Sequence, residues 1–233
     1  MFKLNKNGRK QNENKLRNQK PLIVLMARWH ATYRCKKRLA KDIGESKASR
    51  IQGRLTEHTI SVAKQVQNKD LAEVRLAISG LGKKAAKRWA KLLGIKRFSL
   101  QGEGCLGLRM KRQLCSHLEG SRFEANKTRK TIFIGTDLPH LCFEDLSDAL
   151  TALEEKELVL GPAIDGGYWL IGLSENLAGA TTDSLFTGIP WGTNEVLEKT
   201  TGLAKSKGID FELLRLQNDL DTINDLSPWN IKI

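Results

Sequence analysis

Apolar residues follow two rhythms along this chain of 233 residues. Short unbroken runs alternate with longer stretches in which apolar positions recur every three or four residues. Leu22–Ala27, LIVLMA, is a continuous run, as expected for a strand buried on both faces of a parallel sheet. Ile51, Leu55, Thr59, Val62 and Val66 then recur at helical spacing, which predicts a helix over Ser49–Gln67. Val74–Ser79 alternates and stops at Gly80, a strand pattern. Lys83–Leu93 is a basic amphipathic helix with Ala86, Trp89, Ala90 and Leu93 on its apolar side, closed by Gly94.

The alternation continues through the second half. Lys96–Leu100 predicts a short strand, and a helix follows from about Leu108 to Leu118. Ile132-Phe133-Ile134 is a strand that ends at Gly135, because Pro139 cannot donate to a ladder. Phe143, Leu146, Ala149, Leu150 and Leu153 mark a helix. Leu158–Leu160 is a strand, with a glycine turn and a second strand in GPAIDGGYWLIGL. Phe186–Gly192 is expected as a loop, and Thr193 as the N-cap of a helix to about Lys205. Gly208 ends that helix, and Phe211–Leu216 is the last strand. Strands alternating with helices predict an α/β fold with a mostly parallel sheet in three layers. Residues 1–20 are polar and basic and bury too little apolar surface to order, so they read as a tail before a single domain over residues 21–233.

Composition narrows the class. The longest apolar run is far short of the ~20 residues of a membrane-spanning helix. No charged-then-apolar leader with a small-residue cleavage site opens the chain, which predicts a cytoplasmic protein. Cys35, Cys105, Cys115 and Cys142 form no CxxC pair, a pattern of reduced thiols and not of a disulfide frame or zinc site.

The net charge of +13 is unevenly spread. Residues 1–130 hold 33 Lys/Arg against 9 Asp/Glu, and residues 131–233 hold 6 against 17. Nucleic-acid binding is one reading of the basic part. It is discounted, because no zinc-finger or RNP pattern and no series of stacking aromatics accompanies it. Solvated surface lysines are a second reading. The third fits the split: basic residues grip a phosphorylated ligand while carboxylates bring a divalent cation to it.

Five stretches carry candidate chemistry. Arg28–Lys41, read as a loop after the first strand, holds Arg28, Arg34, Lys36, Lys37, Arg38 and Lys41, either a diphosphate site or a solvated basic loop. No GxGxxG or GxxxxGK[ST] supports a dinucleotide site or a P-loop. In QGEGCLGLRM, Gly102, Gly104 and Gly107 let backbone approach a ligand, and Arg109 faces either a phosphate or solvent. Asp137, just past a buried strand, sits where open α/β sheets bind ligands, or else is a turn former. Asp219, Asp221 and Asp225 are either turn and capping residues or a hard-cation site. Tyr168 and Trp169 are rings for stacking on a base or sugar, or core residues.

Together, LIVLMARW…KKRLA, QGEGCLGLRM, IGTDLPHL, LGPAIDGGYWLIGL, LFTGIPWGT and DLDTINDL resemble an uncharacterised GT-A-type, glycosyltransferase-like family of the nucleotide-diphospho-sugar transferase superfamily. Some of its members are linked to arsenosugar biosynthesis. The resemblance spans about residues 22–229. It implies that Asp137 meets a divalent metal, Mg²⁺ or Mn²⁺, and nucleotide phosphates, with Asp219 and Asp221 completing the metal site. It implies that Arg28, Lys36, Arg38 and Arg109 bind nucleotide phosphate. Asp165, Gly166 and Gly167 would line the donor or acceptor pocket with Tyr168, Trp169 and Trp191, and Asp165 would serve as catalytic base.

The expected activity is a metal-dependent sugar transfer from a nucleotide-diphosphate sugar to an unknown acceptor. The alternatives are a nucleotidyltransferase using an NTP, or a non-catalytic member. The family's first loop usually reads ARxPxPGxxKTRL; here His30, Thr32 and Tyr33 replace two prolines and a glycine, and Lys37 replaces Thr. Tyr33 is not expected to take glycine's dihedrals, so a loop of different shape is expected. Cys105 stands where the family usually has Asp.

Overall fold

A computed structural model describes residues 19–115, 129–177 and 179–229. All of the tail but Gln19 and Lys20, and the expected helix beyond Cys115, lie outside these residues. The described strands form one seven-stranded sheet. They are β1 (Leu22–Arg28), β2 (Glu73–Ser79), β3 (Phe98–Leu100), β4 (Thr131–Ile134), β5 (Leu158–Pro162), β6 (Tyr168–Leu173) and β7 (Phe211–Leu213), in the order β3-β2-β1-β4-β6-β5-β7. β1 pairs in parallel with β2 and β4, β2 with β3, and β5 with β7. Only β6 runs antiparallel, to β4 and β5, because the short turn after β5 brings the chain straight back.

The helices are α1 (Lys37–Ile43), α2 (Glu45–Asn68), α3 (Lys83–Leu92), α4 (Leu106–Cys115), α5 (Phe143–Glu155), α6 (Gly179–Phe186) and α7 (Val196–Ser206). The two faces of β1 explain the layers. Ile23, Leu25 and Ala27 point to one core with Ile60, Val62, Ala63 and Val66 of α2, Trp89 of α3 and Leu146 of α5. Leu22 and Val24 point to the other, with Met110 and Leu114 of α4, Leu185 and Phe186 of α6 and Ala204 of α7. Successive side chains of a strand alternate between faces, so an unbroken apolar run is what a sheet covered on both sides requires. Each fully buried Leu or Ile contributes roughly 1.5–3 kcal/mol.

Two elements depart from the expectation. The stretch to Lys41 is not all loop: α1 starts at Lys37 and buries Leu39 and Ala40 against Leu55 of α2 and Leu220. Its apolar face is too short to show a helical period. The FTGIPWG loop is preceded by α6, which the sequence reading omits. Thr193 does not cap α7; its hydroxyl donates to Pro190 O and accepts from Glu195 N–H, and Glu195 takes the N-cap position.

Candidate active site

The chain leaves β1 for β2 on one side and returns as β4 on the other, so a topological switch point lies between β1 and β4, where open α/β sheets bind ligands. Three adjoining clefts open there. One is lined by Arg28, Arg34, Arg109, Glu103 and Ser79. The next shares Arg28 and Arg34 and adds Lys36, Gln52, Asp137 and Asp221. The third shares Met26, Thr136 and Asp137 and adds Leu106, Met110, Phe133, Tyr168 and Asp219. The groove is thus cationic at one end, carboxylate-rich in the middle and largely apolar at the other.

Backbone bonding brings distant carboxylates into the middle. Gln217 N–H donates to Pro162 O and Leu220 N–H to Asp137 O at 3.1 Å, laying the 217–221 strip along the ends of β5 and β4. The Lys36 ammonium, with its side chain only 2% exposed, stands between Asp137 Oδ2 at 3.3 Å and Asp221 Oδ1 at 2.9 Å. Burial works against that charge, but Asp137 and Asp221 overcome it and hold the Lys36 pKa above its ordinary value. Arg38 donates to the other oxygen of Asp221. Asp137 Oδ1 accepts from Gln52 Nε2 at 2.7 Å.

Among the described residues, Asp219 has no such matching cation. Burial, then the carboxylates of Asp137 and Asp165, push its pKa up to about 7, with Lys36 offsetting only part. Asp225 belongs to the turn. Burial opposes its charge, but N–H donors from Asp221 and Thr222, with the Asn218 amide and Thr222 hydroxyl, hold its carboxyl below the usual range.

The other sequence candidates are placed as follows. Asp165 is exposed in the turn between β5 and β6, its Oδ1 accepting from Gly167 N–H at 2.9 Å. Gly166 has a positive φ of 85°, and a Cβ there would overlap the carbonyl of Asn194, so the room left by this glycine is filled by the approach to α7. Gly107 is not in a loop but in the first turn of α4, where a Cβ would overlap the Phe186 carbonyl and the Trp191 ring. Tyr168 and Trp169 both line the apolar cleft; Trp169 is buried with its Nε1–H on Arg215 O, and burial pushes the Tyr168 phenol up, with the Thr200 hydroxyl opposing. The Trp191 ring packs edge-on to Tyr168 at 6.1 Å. Arg109 Nε donates to Gly104 O, setting the guanidinium against the cationic cleft.

The altered first loop shows how it tolerates its substitutions. Tyr33 does take a left-handed conformation, φ 69°, against the expectation, and Lys36 sits at φ 46°. Tyr33 is 73% exposed, so its ring meets nothing that would forbid this geometry. His30 packs its ring beside Trp29 and Trp89, with centroids 4.5 and 5.8 Å away, and burial lowers its pKa.

Gln52 and the methionines of the apolar cleft were missed from sequence, whereas Arg34 lies in the cationic loop already read as a candidate diphosphate site. Gln52 had a readable signal: Gln52, Thr56 and Thr59 form a polar stripe at helical spacing on a buried face of α2. A buried polar stripe needs partners, and it finds them at Thr136 and Asp137.

The carboxylates also bear on a cation. Among the described residues, no three His, Cys, Asp or Glu side chains converge closely enough to hold a metal by themselves. Asp137 and Asp219 are hard oxygen donors with surplus negative charge, which suits an ion bound through one or two carboxylates plus substrate phosphates.

This fold is that of the nucleotide-diphospho-sugar transferases. It is similar to a protein from Desulfovibrio desulfuricans G20 provisionally named as such a transferase (TM-score 0.76, 23% identity, covering 91% of this chain and 87% of that one). It is similar to 4-diphosphocytidyl-2C-methyl-D-erythritol synthase from Anaerococcus prevotii DSM 20548 (TM-score 0.54, 12% identity, 91% and 97% covered). It is also similar to glucosyl-3-phosphoglycerate synthase from Mycobacterium tuberculosis, solved with Mn²⁺, UDP and glucosyl-3-phosphoglycerate (TM-score 0.53, 12% identity, 98% and 81% covered). The chain itself belongs to the family described as uncharacterized protein conserved in bacteria, DUF2064, whose model matches residues 62–193. No curated protein matches it. Among the described residues, no helix is long and apolar enough to cross a membrane.

Proposed function

We propose that this protein transfers a sugar from a nucleotide-diphosphate sugar to an acceptor hydroxyl, with Mg²⁺ or Mn²⁺ as cofactor. The observation that carries this reading is the meeting, at the switch point, of Lys36 with Asp137 and Asp219, beside the Arg28–Arg34 cleft. Arg28, Arg34 and Lys36 would bind the diphosphate, the arginines through paired hydrogen bonds and Lys36 as a point charge. Asp137 and Asp219 would hold the cation with the diphosphate; Asp221 is already engaged by Lys36 and Arg38. When bound, such a cation supplies Lewis-acid stabilisation of the leaving diphosphate.

Gln52 fixes the rotation of the Asp137 carboxylate. Asp165, oriented by Gly167 N–H, would accept the proton of the acceptor hydroxyl as its oxygen attacks the anomeric carbon. Calorimetric titration with UDP- and GDP-sugars, with and without Mn²⁺, tests the reading. Micromolar to sub-millimolar binding that strengthens with Mn²⁺ is expected; no binding of any nucleotide at millimolar concentration overturns it.

A second reading, nucleotidyl transfer from an NTP, is favoured by the comparable likeness to 4-diphosphocytidyl-2C-methyl-D-erythritol synthase and to glucosyl-3-phosphoglycerate synthase. Pyrophosphate release from an NTP separates the two.

A further inference from the structure

We infer that the acceptor is a small molecule with an apolar body, aromatic or short-chain aliphatic, that bears its reacting hydroxyl at one end, and that it is not a sugar or other polyol. The inference rests on the sugar-transfer reading for the word acceptor, but the site stands on its own geometry.

The third cleft holds about 240 Å³, just below the usual range of ligand pockets, room for one ring or a short chain. Its walls are Met26 of β1, Phe133 of β4, Ile171 and Tyr168 of β6, and Leu106 and Met110 of α4. Three of its polar side chains, Thr136, Asp137 and Asp219, lie on the two strips that border the carboxylate cleft. A polyol buried there would lose water at several hydroxyls and regain partners only at that edge, and each unpaired buried hydroxyl costs about 1–3 kcal/mol. An apolar body with one hydroxyl loses nothing and directs its nucleophile to the edge where the diphosphate would leave.

Two details of exposure agree. Met26 is the one position before Arg28 at which β1 is not fully buried, and it opens onto this cleft. Leu106 is 42% exposed at the mouth, on the first turn of α4. Two unbranched, polarizable methionine side chains adapt to a flat or irregular guest.

The test uses the full chain with ¹³C-labelled methionine methyls, of which the chain has three. Benzyl alcohol and hexan-1-ol are titrated against glycerol and methyl glucoside, without nucleotide. Saturable shifts of the Met26 and Met110 methyls with the apolar alcohols, at least tenfold weaker with the polyols, are expected. Leu106→Asn, on an exposed position that leaves folding intact, weakens the alcohols at least threefold. Equal response to the polyols, no response to the alcohols, or an unchanged Leu106→Asn overturns the inference. Nucleotide calorimetry on the same sample decides the sugar-transfer reading separately: nucleotide binding without alcohol binding removes only the apolar acceptor.

Discussion

The ammonium of Lys36 lies 3.3 Å from Asp137 and 2.9 Å from Asp221, two carboxylates 84 residues apart in sequence that this one buried cation holds together. Removing one member of a buried ion pair leaves an unpaired charge and costs about 3–5 kcal/mol. Lys36→Met should therefore lower stability to urea by about 3 kcal/mol. The double variant Lys36→Met/Asp137→Asn should recover about half of that, since Asp221 keeps its pairing with Arg38 while Asp137 is the carboxylate left without a cation. Equilibrium urea unfolding checks both. A loss under 1 kcal/mol in the single variant would mean that solvent, and not Lys36, compensates the charge of the two carboxylates.

Asp219 makes stability depend on pH with a definite sign. Its folded pKa, about 7, is raised above the ordinary carboxylate value near 4, so between those values the folded state binds more protons than the unfolded state. Its contribution is fully present below about pH 4 and is lost as pH rises through 7. Each unit of the shift corresponds to about 1.4 kcal/mol. Melting temperature without added metal should fall from pH 5 to pH 8, and Asp219→Asn should flatten that fall. A wild-type profile that rises over this window would contradict the assignment.

Gln52 governs the direction in which Asp137 points. Gln52→Leu keeps the volume of the buried position but removes the donor at 2.7 Å. Groups that orient a metal ligand typically contribute 10–100-fold in affinity. Mn²⁺ binding in the presence of a nucleoside diphosphate, followed by Mn²⁺ electron paramagnetic resonance, should weaken about tenfold while the far-ultraviolet circular dichroism stays the same. Unchanged Mn²⁺ affinity would remove Gln52 from this role.

Tyr33 holds a left-handed backbone that costs a non-glycine residue roughly 1–2 kcal/mol. Its ring is 73% exposed and contributes little packing. Tyr33→Gly releases that strain but gives the unfolded chain more freedom, worth about 0.4–1 kcal/mol. The net expectation is a gain of up to about 1 kcal/mol in thermal or chemical unfolding. A clear loss would show that the tyrosine makes an interaction the loop depends on.

Gly107 and Gly82 form a matched pair. A methyl group at Gly107 would overlap the Phe186 carbonyl, which cannot rotate away, whereas nothing lies within 4 Å of one at Gly82. Gly107→Ala should destabilise by about 1–3 kcal/mol, the usual range for overpacking, and Gly82→Ala by less than about 0.5 kcal/mol. Melting temperatures of the two variants side by side provide the check.

Most of the sheet could be read from sequence because its signals are local. The run Leu22–Ala27 and the Ile132-Phe133-Ile134 triplet carry their burial on their own faces. The short α1 and α6 were not legible: α1 buries only Leu39 and Ala40, and too few apolar positions repeat to show a period. In the site, the placement of Asp137 just past a buried strand, where it lines a cleft, followed from strand, glycine and proline in one stretch. The pairing of Lys36 with Asp137 and Asp221 did not, because it depends on Leu220 N–H meeting Asp137 O, a contact between segments about 80 residues apart. Glycines misled for a related reason. A missing side chain admits whatever is nearest, and for Gly107 and Gly166 that is the protein's own backbone.

The tight seat of Gly107 has a mechanical consequence. It clamps the first turn of α4 onto the end of α6 and onto Trp191, whose ring in turn abuts Tyr168. Leu106 and Met110 on one wall of the apolar cleft, and Tyr168 on the other, are therefore braced through a single chain of contacts. The bracing sets the backbone positions of the two walls, which leaves any adjustment to a guest to the side chains of Met26 and Met110.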